Sequence, residues 1–329
     1  MHYRSISDMN AAIVKNMHRL PRDLDLVVGV PRSGLLAANL LALAGNIRMS
    51  DLDSYLDGRV YSAGTTKTHS LRKTTSGPRK VLILDDSIRT GEAMTTVRER
   101  VAAAKLEDTV IYAAVYGATA QHPETDLVFE IVLQPRIFQW NFMHHVALEQ
   151  ACVDIDGVLC HDPSEQENDD GAAYIEFLKS ARPLYPMTRP IGALVTSRLE
   201  KYRPQTEAWL AATGVRYNQL VMLDLPSKAE RQRLGTHGSF KAEYYRNSAF
   251  ELFIESENAQ ARKIARLSGK PVLCVETHTM IEPSAVAILS SATRAGSVGQ
   301  GRNTIKRLAR SVLGHERYET LKEWRAAAR

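Results

Sequence analysis

Two short segments of the chain carry carboxylates in patterns that suit phosphate chemistry. In the first segment, KVLILDDSIRTGEAM at 80–94, the paired acids Asp85 and Asp86 follow an apolar run and precede a turn that contains Thr90 and Gly91. Such a turn ahead of a helix places backbone N–H groups around one point, which suits a phosphate. Two carboxylates beside that point would repel phosphate unless they hold sugar hydroxyls or a metal. A 5-phosphorylated ribose meets both demands.

The second segment is VDIDGVL at 153–159, in which Asp154 and Asp156 follow an apolar run and precede a glycine. One carboxylate can attack phosphorus while the other manages the proton of the leaving group, given a metal to hold the phosphate oxygens. By itself the motif is also compatible with a calcium loop or a simple turn. The two carboxylates at this spacing indicate a phosphatase.

The elements that must position these acids follow from the hydrophobic pattern. Short apolar runs, each followed by a helix-like segment, occur in two blocks and predict an α/β fold with parallel sheets covered by helices. The first block has the strand candidates DLVVGVPRSG, KVLILDDSIRTG and DTVIYAAVYG at 25–34, 80–91 and 108–117. The second block has ACVDIDGVLC, GALVTSR, LVMLD, ELFIESE and KPVLCVE at 151–160, 192–198, 220–224, 251–257 and 270–276. We therefore predict domains at 1–149 and 150–285 and a basic helical tail at 286–329.

The composition is that of an ordinary globular chain. Its 329 residues suit two domains of roughly 150 residues each, and 44% of them are hydrophobic. No apolar run approaches the ~18 residues of a membrane-spanning helix, and we expect no signal peptide. The cysteines Cys152, Cys160 and Cys274 form no CxxC pair, which argues against a disulfide scaffold or a zinc ribbon and favours a cytoplasmic location.

The net charge of +5 resides in the tail, because 301–329 holds eight Lys and Arg against three Glu. The rest of the chain is neutral, so we expect no general binding of nucleic acid. The segment RNTIKRLARSVL at 302–313 predicts a basic amphipathic helix. That helix either lies on the anionic surface of the inner membrane or docks on the second domain.

The first block resembles the type I phosphoribosyltransferases, whose signature is apolar residues, two acids, a variable pair and Thr-Gly. The resemblance covers about 20–120 and implies that Asp85 and Asp86 bind the ribose hydroxyls of phosphoribosyl pyrophosphate (PRPP). The upstream VVGVPRSG resembles the pyrophosphate loop of the family, with Arg32 and Ser33 as contacts. The residues expected to wrap the 5-phosphate are Ser87, Ile88, Arg89, Thr90 and Gly91.

The same resemblance implies a lid, a hood and a metal. The polar segment 63–80 lies where the family has a mobile lid, although a solvated loop explains it equally well. The candidate lid residues are Lys67, Arg72 and Lys73, and those of the hood that selects the acceptor are Arg136, Trp140 and Asn141. Pyrophosphate leaves the anomeric carbon, so Mg²⁺ and cationic side chains stabilise the departing charge and no side-chain nucleophile is required.

The second block resembles the haloacid dehalogenase (HAD) phosphatases, whose opening motif is D-x-D-G. The resemblance implies that Asp154 is the nucleophile and Asp156 the acid/base. In LVTSR, Thr196 corresponds to a phosphate contact, and in SFKAEYY, Lys241 corresponds to the phosphate-binding lysine, with Lys228 as the alternative.

The last HAD motif corresponds to FIESEN, where Glu255 and Glu257 replace the usual aspartates. Which of the two glutamates reaches the metal stays open. The resemblance implies Mg²⁺ held by Asp154, the carbonyl of Asp156 and a glutamate. About forty residues separate each motif from the next, which leaves little room for a large cap and favours a bulky substrate, although an insertion at 160–190 can still shade the site.

The two resemblances together imply two Rossmann-like domains and a reaction in two steps. Transfer of 5-phosphoribosyl from PRPP followed by loss of the phosphate would leave ribofuranose on an acceptor. This arrangement resembles bifunctional bacterial enzymes that add ribofuranose to capsule or O-antigen polysaccharides, which implies a glycan or lipid-linked glycan acceptor. The alternatives are a nucleobase phosphoribosyltransferase with a fused 5′-nucleotidase and a PRPP-sensing regulator. The oligomeric state stays open, with a homodimer among the possibilities.

Overall fold

The structure, a computed structural model, describes residues 1–61, 78–235 and 237–284. The chain forms two compact units, Met1–Trp140 and Asn141–Arg329. The division comes after Trp140 rather than at 149, because the ring of Phe142 contacts Tyr185 and the carboxylate of Glu149 pairs with Arg189. The predicted tail at 286–329 and the lid residues Lys67, Arg72 and Lys73 lie outside the described residues.

The first unit is built on a five-stranded sheet in the order β3-β2-β4-β5-β6, in which all neighbours are parallel. A separate parallel pair joins β1 and β7. The strands are β1 (His2–Arg4), β2 (Leu26–Gly29), β3 (Arg48–Asp51), β4 (Lys80–Ser87), β5 (Thr109–Gly117), β6 (Leu127–Ile131) and β7 (Arg136–Phe138). The helices are α1 (Ile6–Asn16), α2 (Ser33–Gly45), α3 (Leu52–Leu56) and α4 (Glu92–Ala104).

Helices cover both faces of this sheet, which is why its central strands are continuous apolar runs. Helices α1 and α2 pack with Leu82 and Leu84 on one face, and α3 and α4 pack with Val28 and Ile83 on the other. Helix α2 leads from β2 to one side of the sheet, and α4 leads from β4 to the other side. The crevice at the carboxyl ends of β2 and β4 is therefore the topological switch point, where ligands bind in such sheets.

The second unit has a six-stranded sheet in the order β10-β9-β8-β11-β12-β13, parallel except for the antiparallel pair β12 and β13. The strands are β8 (Ala151–Val153), β9 (Ile191–Leu199), β10 (Tyr217–Leu223), β11 (Leu252–Glu255), β12 (Val272–Cys274) and β13 (Thr279–Ile281). The helices are α5 (Ala172–Ser180), α6 (Arg203–Ala212), α7 (Lys228–Leu234), α8 (His237–Asn247) and α9 (Asn258–Ser268).

The predicted α/β class with parallel sheets is confirmed in both units. In the second sheet the chain turns back between β8 and β11, so the carboxyl ends of these two strands form its switch point. None of the described helices is long and apolar enough to cross a membrane.

Candidate active sites

The two acids of the first unit lie near the carboxyl end of β4, beside the start of α2. The hydroxyl of Ser33 donates to Oδ1 of Asp86 at 3.0 Å, and the indole N–H of Trp140 donates to Oδ2 of the same residue at 2.8 Å. The backbone N–H of Asp86 donates to Oδ1 of Asp85 at 2.8 Å. The predicted pyrophosphate loop and the acidic pair therefore meet at one edge of the sheet.

Gly34 allows this close approach. A Cβ atom at this position would lie 2.8 Å from the carbonyl oxygen of Leu84 and 3.0 Å from Oδ1 of Asp85. Contacts this short are not tolerated, so a larger residue would push α2 away from the acids. The glycine of PRSG thus brings the N-terminus of α2 against β4.

The segment after the acids presents unused backbone donors. The N–H groups of Arg89, Thr90 and Gly91 donate to no described residue, whereas the N–H of Ile88 donates to the carbonyl of Tyr116 at 2.8 Å. Gly91 has φ +91° and precedes α4 without a side-chain cap, so the first N–H groups of that helix are open as well. Open N–H donors at a helix N-terminus suit a phosphate.

Asp85 has a strongly perturbed pKa. Burial is the main reason that its pKa rises to about 8, and the neighbouring carboxylate of Asp86 adds to the rise. The folded protein therefore keeps a proton on Asp85 at a pH where the unfolded chain has lost it. Perturbed acids in a crevice are typical of functional sites.

This pKa predicts a pH-dependent stability. Between about pH 4 and pH 8 the folded state binds one proton more than the unfolded state, so stability falls as pH rises through that window. We expect Asp85→Asn to remove this dependence, worth up to about 1.4 kcal/mol per unit of raised pKa. Urea unfolding of both proteins at pH 5 and pH 9 measures it. Asp57→Asn, at an exposed acid, should behave as wild type, and an equal pH response of Asp85→Asn and wild type would contradict the prediction.

The predicted hood residues have different surroundings. Arg136 is buried, and its guanidinium donates to the carbonyls of Ile88 at 2.6 Å and Val132 at 3.1 Å. It therefore holds the segment after the acids rather than facing an acceptor. Trp140 does reach the acidic pair, and its ring stacks on Phe138 with centroids 4.6 Å apart. Asn141 belongs to the second unit.

In the second unit, Asp154, Lys241 and Glu255 form a buried cluster. Asp154 follows β8, Glu255 ends β11 and Lys241 belongs to α8. The ammonium of Lys241 lies 2.6 Å from Oδ2 of Asp154 and 2.8 Å from Oε2 of Glu255. The alternative lysine, Lys228, instead donates through its ammonium to the carbonyl of Asn168. Of the two lysines, the structure brings Lys241 to Asp154.

The two glutamates predicted to reach the metal lie in different surroundings. Glu255 is fully buried in the cluster, whereas Glu257 is exposed and accepts from the amide of Gln260 at 2.6 Å. One ammonium between two buried carboxylates leaves a negative charge uncompensated. Burial, partly opposed by Lys241 and reinforced by Glu255, raises the pKa of Asp154 well above its ordinary value.

Asp156 is held by Arg198, which the sequence analysis did not single out. The guanidinium of Arg198 is fully buried and lies 2.6 Å from Oδ1 and 3.1 Å from Oδ2 of Asp156. The backbone N–H of Arg198 donates to the hydroxyl oxygen of Thr196 at 3.2 Å, so both residues of LVTSR belong to the site. Although burial opposes it, the charge of Asp156 raises the pKa of Arg198. The only sequence signal for this contact is that LVTSR ends in arginine.

The residues around Asp154 fit the implied Mg²⁺. In the described part of the chain, no three His, Cys, Asp or Glu side chains form a metal-binding group. Proteins nevertheless bind Mg²⁺ through one or two carboxylates, with water and substrate oxygens completing the shell. Asp154, whose Oδ1 is buried and has no partner among the described residues, and the adjacent Glu255 satisfy that requirement. The side chain of Asp156 is taken by Arg198.

Comparisons with known proteins give weak likenesses. Neither a protein-family model nor a curated protein matches the chain. A Helicobacter pylori xanthine-guanine-hypoxanthine phosphoribosyltransferase is 13% identical, with a TM-score of 0.32 over 43% of this chain and 91% of that chain. A purine phosphoribosyltransferase from Pyrococcus horikoshii is 19% identical, with a TM-score of 0.28 over 42% and 92%. A chain of a Pnkp1/Rnl/Hen1 complex is 15% identical, with a TM-score of 0.23 over 78% and 97%. Likenesses this weak carry no argument beside the geometry of the two sites.

Proposed function

We propose that the first unit transfers 5-phosphoribosyl from PRPP to an acceptor and that the second unit then removes the 5-phosphate, which leaves ribofuranose. The observation that carries this proposal is the pairing of two acidic side chains, Asp85 and Asp86, with the open N–H donors of 89–91. Carboxylates accept from hydroxyls and N–H donors bind phosphate, and a phosphorylated ribose has both groups.

At the first site the protein contributes position and charge. Ser33 and Trp140 each use one lone pair of the Asp86 carboxylate and orient it, which leaves further lone pairs for ribose hydroxyls. The exposed Arg32 and the open start of α2 suit the pyrophosphate group. As pyrophosphate leaves, positive charge develops on the ribose ring, and the Asp86 carboxylate stabilises it electrostatically.

At the second site, Oδ1 of Asp154 attacks the phosphorus of the 5-phosphate. The bond from phosphorus to the sugar oxygen breaks and that oxygen takes a proton from water. A second water then hydrolyses the aspartyl phosphate, and the Asp156 carboxylate accepts its proton. Thr196 and Arg198 lie at the end of β9 and are hydrogen-bonded to each other, and Arg198 orients Asp156. Asp154 and Glu255 would hold Mg²⁺, which would supply positive charge to the phosphoryl oxygens.

The acceptor that we propose is a bacterial glycan of the capsule or O-antigen type, modified at the cytoplasmic face of the inner membrane. Between β8 and β9 the chain forms one helix, α5, of nine residues, which is small for a cap and supports a bulky substrate. Removal of the phosphate makes the transfer irreversible. A tether between the two activities raises the local concentration of the intermediate at the second site.

Binding of PRPP tests the proposal directly. We expect calorimetry to detect PRPP binding by wild type and at least about a tenfold weaker binding by Asp86→Ala, because a carboxylate that accepts from hydroxyls is lost. Asp57→Ala, at an exposed acid of the same unit, should bind as wild type. Absence of PRPP binding by wild type would refute the proposal.

The acceptor is identified by pyrophosphate release and mass spectrometry. With PRPP and Mg²⁺, we expect release of pyrophosphate with glycan acceptors and a product heavier by one pentose. Release with a purine or pyrimidine alone would instead support a nucleobase phosphoribosyltransferase with a fused nucleotidase.

A further inference from the structure

We infer that Arg231 on α7 binds the phosphoryl group of the substrate in the second unit, as its guanidinium ligand. The inference rests on the proposed phosphatase function and adds a residue that the HAD-like motifs do not include. It comes from the hydrogen-bond donors of the three cations around Asp154, Asp156 and Thr196. These cations are Lys241, Arg198 and Arg231.

The donors of Lys241 are already used. An ammonium group has three N–H donors. Those of Lys241 meet Oδ2 of Asp154 at 2.6 Å, Oε2 of Glu255 at 2.8 Å and Oε1 of Gln260 at 3.4 Å. A phosphoryl group can bind this ammonium only if one of these contacts breaks.

Arg198 is occupied in the same way. Its Nε and Nη2 donate to the carboxylate of Asp156, Nη2 also contacts Sγ of Cys160 at 3.4 Å, and Nη1 contacts the hydroxyl of Thr206 at 3.5 Å. The side chain is fully buried and its charge is balanced by Asp156. Its role is therefore to position Asp156.

Arg231 has open donors beside the carboxyl-terminal end of β9. Its Nη1 donates to the carbonyl of Ser197 at 2.8 Å, directly after Thr196. Its Nε is buried and has no hydrogen-bond partner among the described residues, and the same holds for Oγ of Ser197. A buried donor without a partner is costly for the folded protein, so these atoms point to an acceptor supplied by a ligand.

The carboxyl-terminal end of β9, which contains Ser197, lies beside the segment that carries the proposed nucleophile. Val153, which precedes Asp154, pairs with Leu194 of β9 in the parallel register, and Arg198, which follows Ser197 in β9, holds Asp156 at 2.6 Å. Oδ1 of Asp154 is the third buried atom without a partner in this part of the described structure. A phosphate monoester matches the three atoms, since its oxygens accept from Arg231 and Ser197 and its phosphorus meets Asp154.

The charges nearby agree with an anionic ligand. Burial is the main cause that lowers the pKa of His237, and the positive charges of Arg231 and Lys241 are the next largest causes. No acidic side chain of the described residues forms an ion pair with Arg231. A dianionic phosphoryl group would supply that missing charge, and a guanidinium suits it because its planar fork matches phosphate oxygens.

Binding of inorganic phosphate, measured by calorimetry without metal, tests the inference in the full chain. We expect Arg231→Gln to raise the Kd for phosphate about ten- to a hundredfold, the loss expected for a charge-assisted hydrogen bond, and Arg231→Lys to lie in between. Arg233→Gln is the matched control, because Arg233 lies on the same helix, is exposed and pairs with Glu230. It should bind as wild type.

Hydrolysis of p-nitrophenyl phosphate with Mg²⁺ gives the second readout, in which Arg231→Gln should raise KM more than it lowers kcat.

If wild type hydrolyses this substrate and Arg231→Gln matches wild type in phosphate Kd and in KM, Arg231 is not the ligand and the phosphatase proposal stands. If wild type binds phosphate, loses that affinity with Arg231→Gln and hydrolyses no monoester, the phosphatase proposal fails and the anion site stands. No phosphate binding by wild type overturns the inference. Should Arg231→Gln not fold, Arg231→Lys decides, and an unchanged phosphate Kd in that variant overturns the inference.

Discussion

Asp154→Asn should leave a product that carries a pentose and a phosphate, where wild type leaves a pentose alone. The amide nitrogen and oxygen of asparagine do not attack phosphorus as a carboxylate does, so the first unit still transfers and the second unit stalls. We expect phosphate release to fall at least about a thousandfold, as for the loss of a nucleophile in other enzymes. Mass spectrometry of the product from PRPP, Mg²⁺ and acceptor measures the stall, and a phosphate assay measures the rate.

The matched control is Asp224→Asn, since Asp224 is exposed and directly follows β10 of the same sheet. That variant should give the wild-type product. A fully dephosphorylated product from Asp154→Asn would contradict the role of Asp154 as nucleophile. A wild-type product without pentose would contradict transfer by the first unit instead.

Lys241→Met should destabilise the protein by about 3–5 kcal/mol, the usual loss when one partner of a buried ion pair is removed. The variant keeps the side-chain volume but leaves Asp154 and Glu255 buried without their shared ammonium. Urea unfolding at pH 7 measures the change in the free energy of unfolding. Lys179→Met, at an exposed lysine paired with Glu176, should change it by no more than about 0.5 kcal/mol.

A double variant separates charge from packing in this prediction. Because Asp154→Asn removes one of the two carboxylate charges, adding it to Lys241→Met should recover part of the lost stability. A loss under about 1 kcal/mol in Lys241→Met, or a double variant less stable than Lys241→Met, would mean that the carboxylates do not depend on the ammonium.

Much of the sheet architecture was predictable from hydrophobic runs. All eight strand candidates became strands, and all but the edge strand β10 lie inside their sheets, where burial on both faces favours apolar residues. The strands that the pattern missed are β1, β3, β6, β7 and β13. Strand β3, with the sequence RMSD, is at the edge of its sheet and contains two charged residues, and β13, with TMI, is an edge strand of three residues. Edge strands face water on one side and therefore lack a continuous apolar signal.

The acids of both sites were predictable for a local reason. Asp85 and Asp86 lie within eight strand residues, and Asp154 follows β8 directly, so a strand and its following turn place them whatever the rest of the fold does. The open N–H groups of 89–91 follow from the same short segment, since Gly91 has a positive φ and starts α4. These features depend on neighbours in the chain, and the sequence alone determined them.

The tertiary structure decided which distant side chains meet those acids. Lys241 contacts Asp154 across 87 positions of the chain, and Trp140 contacts Asp86 across 54. The choice of Lys241 over Lys228 and the pairing of Arg198 with Asp156 depend on strand order and on where each helix packs against the sheet. Hydrophobic periodicity determines which face of a strand or helix is buried but not which element lies beside it. For that reason the acids were readable from the sequence, Lys241 and Glu255 were expected only through the resemblance, and the contact of Arg198 with Asp156 became visible only in the folded chain.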